Sequence, residues 1–404
     1  MNVPRILFAA YLILALVPFA RAQPAKAPAD ACVYLASLIP VDGGPLFLPS
    51  YPTVEEGPLH SAAFLYDDAV TAIALVGCGD TGAARRIGDA ILAALDHDRA
   101  WHDGRLRNAY AAGPVQEYPV KLGGWWDKGQ NRWLEDGYQV GSDSGNMAWA
   151  MLALLALDHA TADPRYRTGA TRIGVWLVGR SDDRGAGGFT GGFSDWEPSP
   201  AVLTWKSTEH NTDVAAAFTL LARATGDHVW ADRAEHAARF VAAMWDDGCA
   251  CFAVGTTEDG VTPNKILALD AEIWPLIALP GMAAAHSGQV IATIGARLRG
   301  ADGYAYSYAD HGLWTEGTAQ AALAQHLFGH DLEAAALETA VATQWAPSGG
   351  IYATAGPQLA TGFGSASDPK TERYYYRLPH LAATAWAALA EKKFNPFTDS
   401  QTLP

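Results

Sequence analysis

Apolar residues run through this chain in long stretches separated by short polar breaks, and the stretches are of two kinds. Residues 146–157 read NMAWAMLALLAL and residues 214–222 read VAAAFTLLA, apolar around nearly the whole helical wheel. Residues 85–89 (RRIGD) and 233–239 (RAEHAAR) are two-faced instead. A helix apolar all round has to be enclosed, and a two-faced helix is what encloses it. The pattern predicts an inner set of helices wrapped by an outer set.

The two kinds alternate along the chain. Gly77-Cys78-Gly79-Asp80 leads into an outer helix over 83–95, Ala162-Asp163-Pro164 into one over 166–178, Thr225-Gly226-Asp227 into 230–245, and Gly329-His330-Asp331 into 332–345. In these turns Gly relieves the strain of a helix C-terminus and Asp is placed to cap the helix that follows. Inner helices start near Ser61, Ser144, Thr208, Leu269, Thr315 and Pro379. Their outer partners start near Thr81, Pro164, His228, Ala284 and Asp331, and residues 29–37 are placed to supply the sixth. Turns within a hairpin take about two to five residues and loops between hairpins about 15 to 50. Alternating helix direction puts every long loop at one end, and long loops on a rigid scaffold are where function concentrates. No linker divides the chain, so residues 23–395 are expected to form one all-α domain, a closed (α/α)6 barrel, followed by a tail over 396–404.

Residues 1–22 carry Arg5, an apolar run over 6–16 and Phe19-Ala20-Arg21-Ala22, the layout of a signal peptide cleaved before Gln23. The run is shorter than the roughly 20 residues of a spanning helix, and no later segment suffices either. The expectation is a periplasmic or secreted protein with no membrane insertion after cleavage. A formal charge of −15 argues against nucleic acid or an anionic membrane as partner, because both need a basic footprint. An oxidising compartment permits disulfides, with Cys32 and Cys78 the expected pair. Cys249-Ala250-Cys251 has no His or Cys partner at zinc-finger spacing, so no metal is expected. The glycines of residues 187–192 lack the Gly-Lys-Ser/Thr ending and the preceding strand of a phosphate loop, so no cofactor is expected. No G-x-S-x-G elbow of a serine hydrolase is present.

The six-hairpin pattern resembles the (α/α)6 glycosidase superfamily, which holds glycoside hydrolases, polysaccharide lyases and related sugar enzymes, over essentially the whole mature chain. The resemblance implies a carbohydrate substrate and an open end lined by the starts of the inner helices. Those starts offer Tyr66, Asp67 and Asp68; Asp143, Ser144 and Asn146; Glu209, His210, Asn211 and Asp213; Asp270 and Glu272; Trp314 and Glu316; Arg377 and His380. Superfamily members often take one catalytic acid from around the third hairpin and its partner from another inner-helix end. Carried over, this implies Glu209 as general acid, with Asp67, Asp270 or Glu316 as partner.

First-turn acids are also favoured by the helix dipole and serve as caps, a reading that suits Asp143-Ser144 best. Glu209 and Glu316 fit it less well. They lie in polar clusters, residues 205–213 and 314–320, each opening with a tryptophan that would provide an apolar wall. Lys206, His210, Asn211 and Asp213 are placed to bond sugar hydroxyls, with Tyr66, Asp68, Asn146, Glu272 and His380 completing the polar contacts. Aromatic platforms are expected from Trp125, Trp126, Trp314, Tyr375 and Tyr376, and more widely from Trp133, Tyr138, Phe193, Trp196, Tyr306 and Tyr308. Hydrolysis would need two carboxyl groups flanking the glycosidic bond. A lyase or epimerase would instead draw on His210, Asn211, Tyr375, Arg377 and His380 to move a proton at carbon. A non-catalytic carbohydrate-binding accessory protein would need the aromatics but not the acids.

Overall fold

A computed structural model describes residues 30–364 and 372–404; the expected signal peptide lies outside them. After α1 (Ala31–Ser37), inner and outer helices alternate: α2 (Leu65–Gly77) and α3 (Thr81–Asp96); then, past the one-turn α4 (Gly137–Val140), α5 (Ser144–Thr161) and α6 (Pro164–Val178). They continue with α7 (Thr208–Thr225) and α8 (His228–Ala243), α9 (Leu269–Ala278) and α10 (Met282–Arg297), α11 (Thr315–Leu327) and α12 (Asp331–Ala342), and end with α13 (Leu381–Lys392). Inner helices pack in the order α2, α5, α7, α9, α11, α13 and back to α2, closing a ring. The remaining long helices cover it, and α1 fills the sixth outer place against α13 and α2. The all-α (α/α)6 barrel expected from the pattern is the observed fold.

Burial follows the two kinds of stretch. Every residue from 147 to 157 on α5 is buried, whereas on α3 Ala84, Ile87 and Ile91 are buried and Arg85 is exposed. Asp80, Asp163 and Asp227 cap α3, α6 and α8 through hydrogen bonds from Ala83, Arg165 and Val229 amides, as the turn pattern predicts. The fourth turn differs: His330 is the N-cap of α12, and Asp331, already helical, meets His326 and Lys393 instead.

The inner helices begin in another way. Each is preceded by an extended residue that pairs with a loop strand. Ala62–Phe64 pairs with Ala109–Ala111 before α2, Ser142–Asp143 with Gly192–Ser194 before α5, and Pro379–His380 with Ile351–Tyr352 before α13. Single bridges do the same for the others: Ser207 with Gly255, Ala268 with Ser307, and Trp314 with Thr354. These clamps move two starts inward from the expected ones, to Leu65 and Leu381, because residues 62–64 and 379–380 are held in ladders.

The C-terminal segment packs back on the barrel: Asn395 donates to the Ile277 carbonyl (2.8 Å), and Phe397, 2% exposed, packs 5.2 Å from Trp149 and 5.5 Å from Trp274. The phenyl ring thus enters the barrel axis and closes it. Cys32 bonds to Cys78, tying α1 to the end of α2, and Cys249 bonds to Cys251 across one residue, so that tripeptide is a disulfide loop.

Candidate active site

The barrel axis is layered. Above Phe397, the indoles of Trp149, Trp274 and Trp386, one turn into α5, α9 and α13, pack with centroids 5.3 to 5.9 Å apart. Tyr66 completes the layer 5.1 Å from Trp149. Such a buried aromatic floor is apolar except for its N–H and O–H groups, which then need partners. Trp386 Nε1 donates to the Tyr66 oxygen (2.7 Å), and the Tyr66 hydroxyl donates to Glu316 Oε1 (2.5 Å). The floor therefore ends in a carboxylate at its upper surface.

Around Glu316 stand the other acids of the first turns. Of the six N-caps of the inner helices, Phe64, Asp143, Ser207, Ala268, Trp314 and His380, only Ser207 caps with its side chain. The strand clamps replace caps, so first-turn acids are left for other partners. Asp67 and Glu316 flank the buried His380, whose Nε2 lies 3.3 Å from Asp67 and whose Nδ1 lies 3.7 Å from Glu316. Burial pulls this imidazole down, but the two carboxylates outweigh it and hold His380 above its ordinary value. Its ring stacks on Tyr51, 4.7 Å away and 14° from parallel.

Burial governs the acids. It pushes Glu316 up to about 7, with His380 and Tyr66 acting against the rise and Asp67 and Asp270 adding to it. Asp270 is pushed to about 6 by burial, restrained by the Ala271 amide and the Tyr306 hydroxyl. Glu209, half-buried in the cleft, rises well above the carboxylate range through burial, then Asp270 and Glu316. Asp213, one turn deeper on α7, rises through burial, then Glu209 and Asp270, with the Trp149 indole acting against the rise. Like charges in a low-dielectric site oppose one another's ionisation, so Asp270 helps to raise Glu209, Asp213 and Glu316, and Glu316 helps to raise Glu209.

One wall of this mouth is aromatic. Tyr306 lies edge-on to Trp314 at 4.7 Å, Tyr375 lies 5.7 Å from Trp314, and burial keeps the Tyr306 and Tyr375 phenols protonated. Gly317 permits this wall, since a Cβ there would sit 2.0 Å from the Trp314 ring. On the opposite side His210 packs 5.4 Å from Trp205, and burial, then Arg373, lowers its imidazole to about 4, leaving it neutral. Asn108 braces the α5 start, taking Asp143's amide (2.7 Å) and Asn146's side chain (2.8 Å) on its oxygen and donating to Asp143 Oδ1 (3.1 Å).

The structure thus brings together Tyr66, Asp67, Glu209, His210, Asp213, Asp270, Trp314, Glu316, Tyr375 and His380, with Asn146 at the edge. Other expected contacts are turned elsewhere. Lys206 is not a sugar ligand: its buried ammonium donates to the Arg184 and Gly187 carbonyls at 2.7 and 2.9 Å. Asn211 is occupied by both backbone groups of Phe189, Asp68 accepts from the Leu48 amide, and Glu272 accepts from the Phe252 amide. Helical periodicity explains these: successive first-turn residues point about 100° apart, so only some face the axis. Trp125 and Trp126 lie on a hairpin (Trp125–Asp127 with Arg132–Leu134), where Trp126 is 54% exposed, and Tyr376 projects outward, 42% exposed. Asp143 is not the ordinary cap expected of it; its carboxyl is bonded to Asn108 and raised by burial to about 6. The tryptophan floor, Tyr51, Asn108 and Arg373, whose guanidinium lies 5.0 Å over the Tyr138 ring, were not singled out as site residues. For the tryptophans a signal existed, since Trp149, Trp274 and Trp386 occupy one equivalent position, the sixth residue of their helices.

No family model matches the chain, and no curated protein matches its sequence. Solved structures match its fold. A wild-type glycosidase is 15% identical, over 90% of this chain and 95% of that one, with a TM-score of 0.62. A sugar epimerase from a ruminal bacterium is 10% identical over 90% and 96%, at 0.62. An α-mannanase from Bacteroides thetaiotaomicron is 10% identical over 90% and 94%, at 0.56. At such identities the likeness establishes architecture, and the chain has the (α/α)6 six-hairpin fold on which these glycosidases and sugar epimerases are built.

Proposed function

We propose that this chain is an exported glycoside hydrolase acting on an oligo- or polysaccharide in the open end of its barrel. The observation that carries the reading is the convergence of Glu209, Asp270 and Glu316, three first-turn acids from adjacent inner helices that are not used as caps, are raised by burial and stand beside an aromatic wall. Glu209 is the raised acid with a side open to the cleft, which suits protonation of the leaving oxygen. Asp270, raised to a lesser degree, is its partner as base or nucleophile, and Glu316, held by Tyr66 and His380, sets the charge beside them. The Tyr306 and Tyr375 rings, backed by the buried Trp314, offer the face on which a sugar ring packs. Export is supported by the signal-like residues 1–22 and the Cys32–Cys78 disulfide, and no described helix is long and apolar enough to cross a membrane.

A second reading, sugar epimerisation, is favoured by one feature: His210 is neutral, with a buried Nδ1 that has no hydrogen-bond partner, as a base for a C–H proton would be. Reaction in deuterated water followed by NMR separates the two. A hydrolase releases new reducing ends without deuterium at carbon, whereas an epimerase incorporates it. Under hydrolysis, Glu209→Gln lowers kcat by at least about 100-fold with KM changed less than about threefold. Undiminished turnover in this variant removes Glu209 from the mechanism.

A further inference from the structure

A cavity of about 520 Å3 lies apart from the carboxylate group, between the loops that flank the α9–α10 hairpin. Its floor is apolar: Phe252 and Leu267 are buried, and the Cys249–Cys251 disulfide forms part of the wall. Its rim carries Lys265, Arg297 and Tyr308, with Asp246 the single acid. Lys265 is already engaged, 2.9 Å from Asp246. Arg297 is exposed and makes no ion pair within 4.0 Å among the described residues; its charge acts on the buried Glu272 beneath Phe252, but burial still holds that carboxyl well above the usual range. An uncommitted guanidinium above an apolar floor, in a volume within the roughly 300–1,000 Å3 of small-molecule sites, has the composition of a pocket for an anion with an apolar face.

The cavity shares a wall with the cleft. Ala268 bridges Ser307, and the Leu269 amide donates to the Tyr306 carbonyl (2.9 Å). Leu267 and Tyr308 lie on the cavity side of that bridge, while Asp270 and Tyr306 lie on the side of the acids. Leu267 is three residues before Asp270, which even fully extended chain would span in about 10 Å, so a ligand in the cavity sits one short step from Asp270.

We propose that this cavity is a second binding site, for a sugar unit bearing a carboxylate. Arg297 receives the carboxylate in a two-pronged pair, the ring's apolar face packs on the Cys249–Cys251 disulfide, behind which lie the buried Phe252 and Leu267, and Tyr308 flanks it. That the ligand is a sugar rests on the carbohydrate reading of the neighbouring cleft; the preference for an anion rests on the cavity alone.

The probes are D-glucuronate and D-glucose, titrated calorimetrically into the full chain and into its Arg297→Ala, Arg373→Ala and Glu209→Gln variants. Arg297 is an exposed residue at the end of α10, so its removal is expected to leave the unfolding midpoint unchanged. Glucuronate should bind the unaltered protein and Glu209→Gln alike, with Kd on the order of 1 mM, and Arg297→Ala at least tenfold more weakly, with glucose at least tenfold weaker throughout. Equal binding by Arg297→Ala, equal affinity for glucose, or no binding at about 50 mM overturns the proposal. Loss in Arg373→Ala but not Arg297→Ala overturns it too, by placing the anion over the cleft. Because binding is read rather than turnover, failure of the hydrolase reading leaves these outcomes distinct.

Discussion

Glu316 illustrates how one side chain here is set by its surroundings. Its oxygen accepts from Tyr66, whose own oxygen accepts from Trp386, so the floor of the barrel stabilises the ionised form of an acid that burial would otherwise keep neutral. Tyr66→Phe removes that donor. A hydrogen bond to the charged form lowers a carboxyl pKa, so its loss moves Glu316 further up from about 7, a shift that carboxyl 13C NMR or infrared titration reads directly. An unchanged or lower value would mean that the Tyr66 contact does not hold the ion. Gly145 is a second residue-scale constraint: a Cβ there would come within 2.5 Å of the His210 ring, so the start of α5 leaves the imidazole its place.

Among the elements, the long loop between α3 and α5 is held by a buried ion pair. Arg107, with no exposed side-chain surface, bonds Asp98 through two nitrogens at 2.7 and 2.8 Å and also reaches the Val140 carbonyl and Glu197, both at 3.0 Å. Arg99 ties Glu135 and Glu197 to the same knot. Arg107→Ala would leave Asp98 buried without its partner, at a cost of about 3–5 kcal/mol, seen as a lower midpoint of denaturant unfolding. Asn108 follows directly and braces Asp143, so cleft function should fall with stability in this variant. A midpoint within error of the unaltered protein would show that the loop is held by other means.

The whole molecule carries two further consequences of a filled axis and an acidic mouth. Phe397→Ala opens a void beneath three tryptophans, with an expected loss of about 3–5 kcal/mol and a red-shifted tryptophan emission. Stability should also depend on pH in an unusual sense. Glu316 at about 7, and Asp143 and Asp270 at about 6, bind protons more tightly folded than unfolded, so the native state holds more protons between about pH 4 and 7 and stability falls as pH rises through that window. Raised His380 acts in the same direction above about pH 6.5. Glu197, held at about 2, and Asp98, also lowered, act oppositely and withdraw their support as pH falls below about 4. Tm should peak near pH 4–5 and decline toward pH 7.5, and Glu316→Gln should flatten the decline by roughly 2–3 kcal/mol. A peak at neutral pH in the unaltered protein would contradict the assigned shifts.

The architecture was legible in the chain because inner and outer helices obey different solvation rules, and every turn of helix repeats the signal: residues 146–157 could only be enclosed, and Asp80, Asp163 and Asp227 could cap where they stand. The acids at the inner-helix starts were legible too, as a group. Which of them share the cleft was decided only by the tertiary structure, because adjacent first-turn residues differ by a rotation that sequence does not register against the barrel axis. Glu209 and Glu316 turn inward, while Asp68, Asn211 and Glu272 are taken up by backbone groups of distant loops. The same holds for Asp143, whose capping role was displaced by Asn108, and for Phe397, which nothing in its local sequence marks as the plug. Local propensity determines that a helix forms and which side is apolar; only the closed ring determines which polar groups meet.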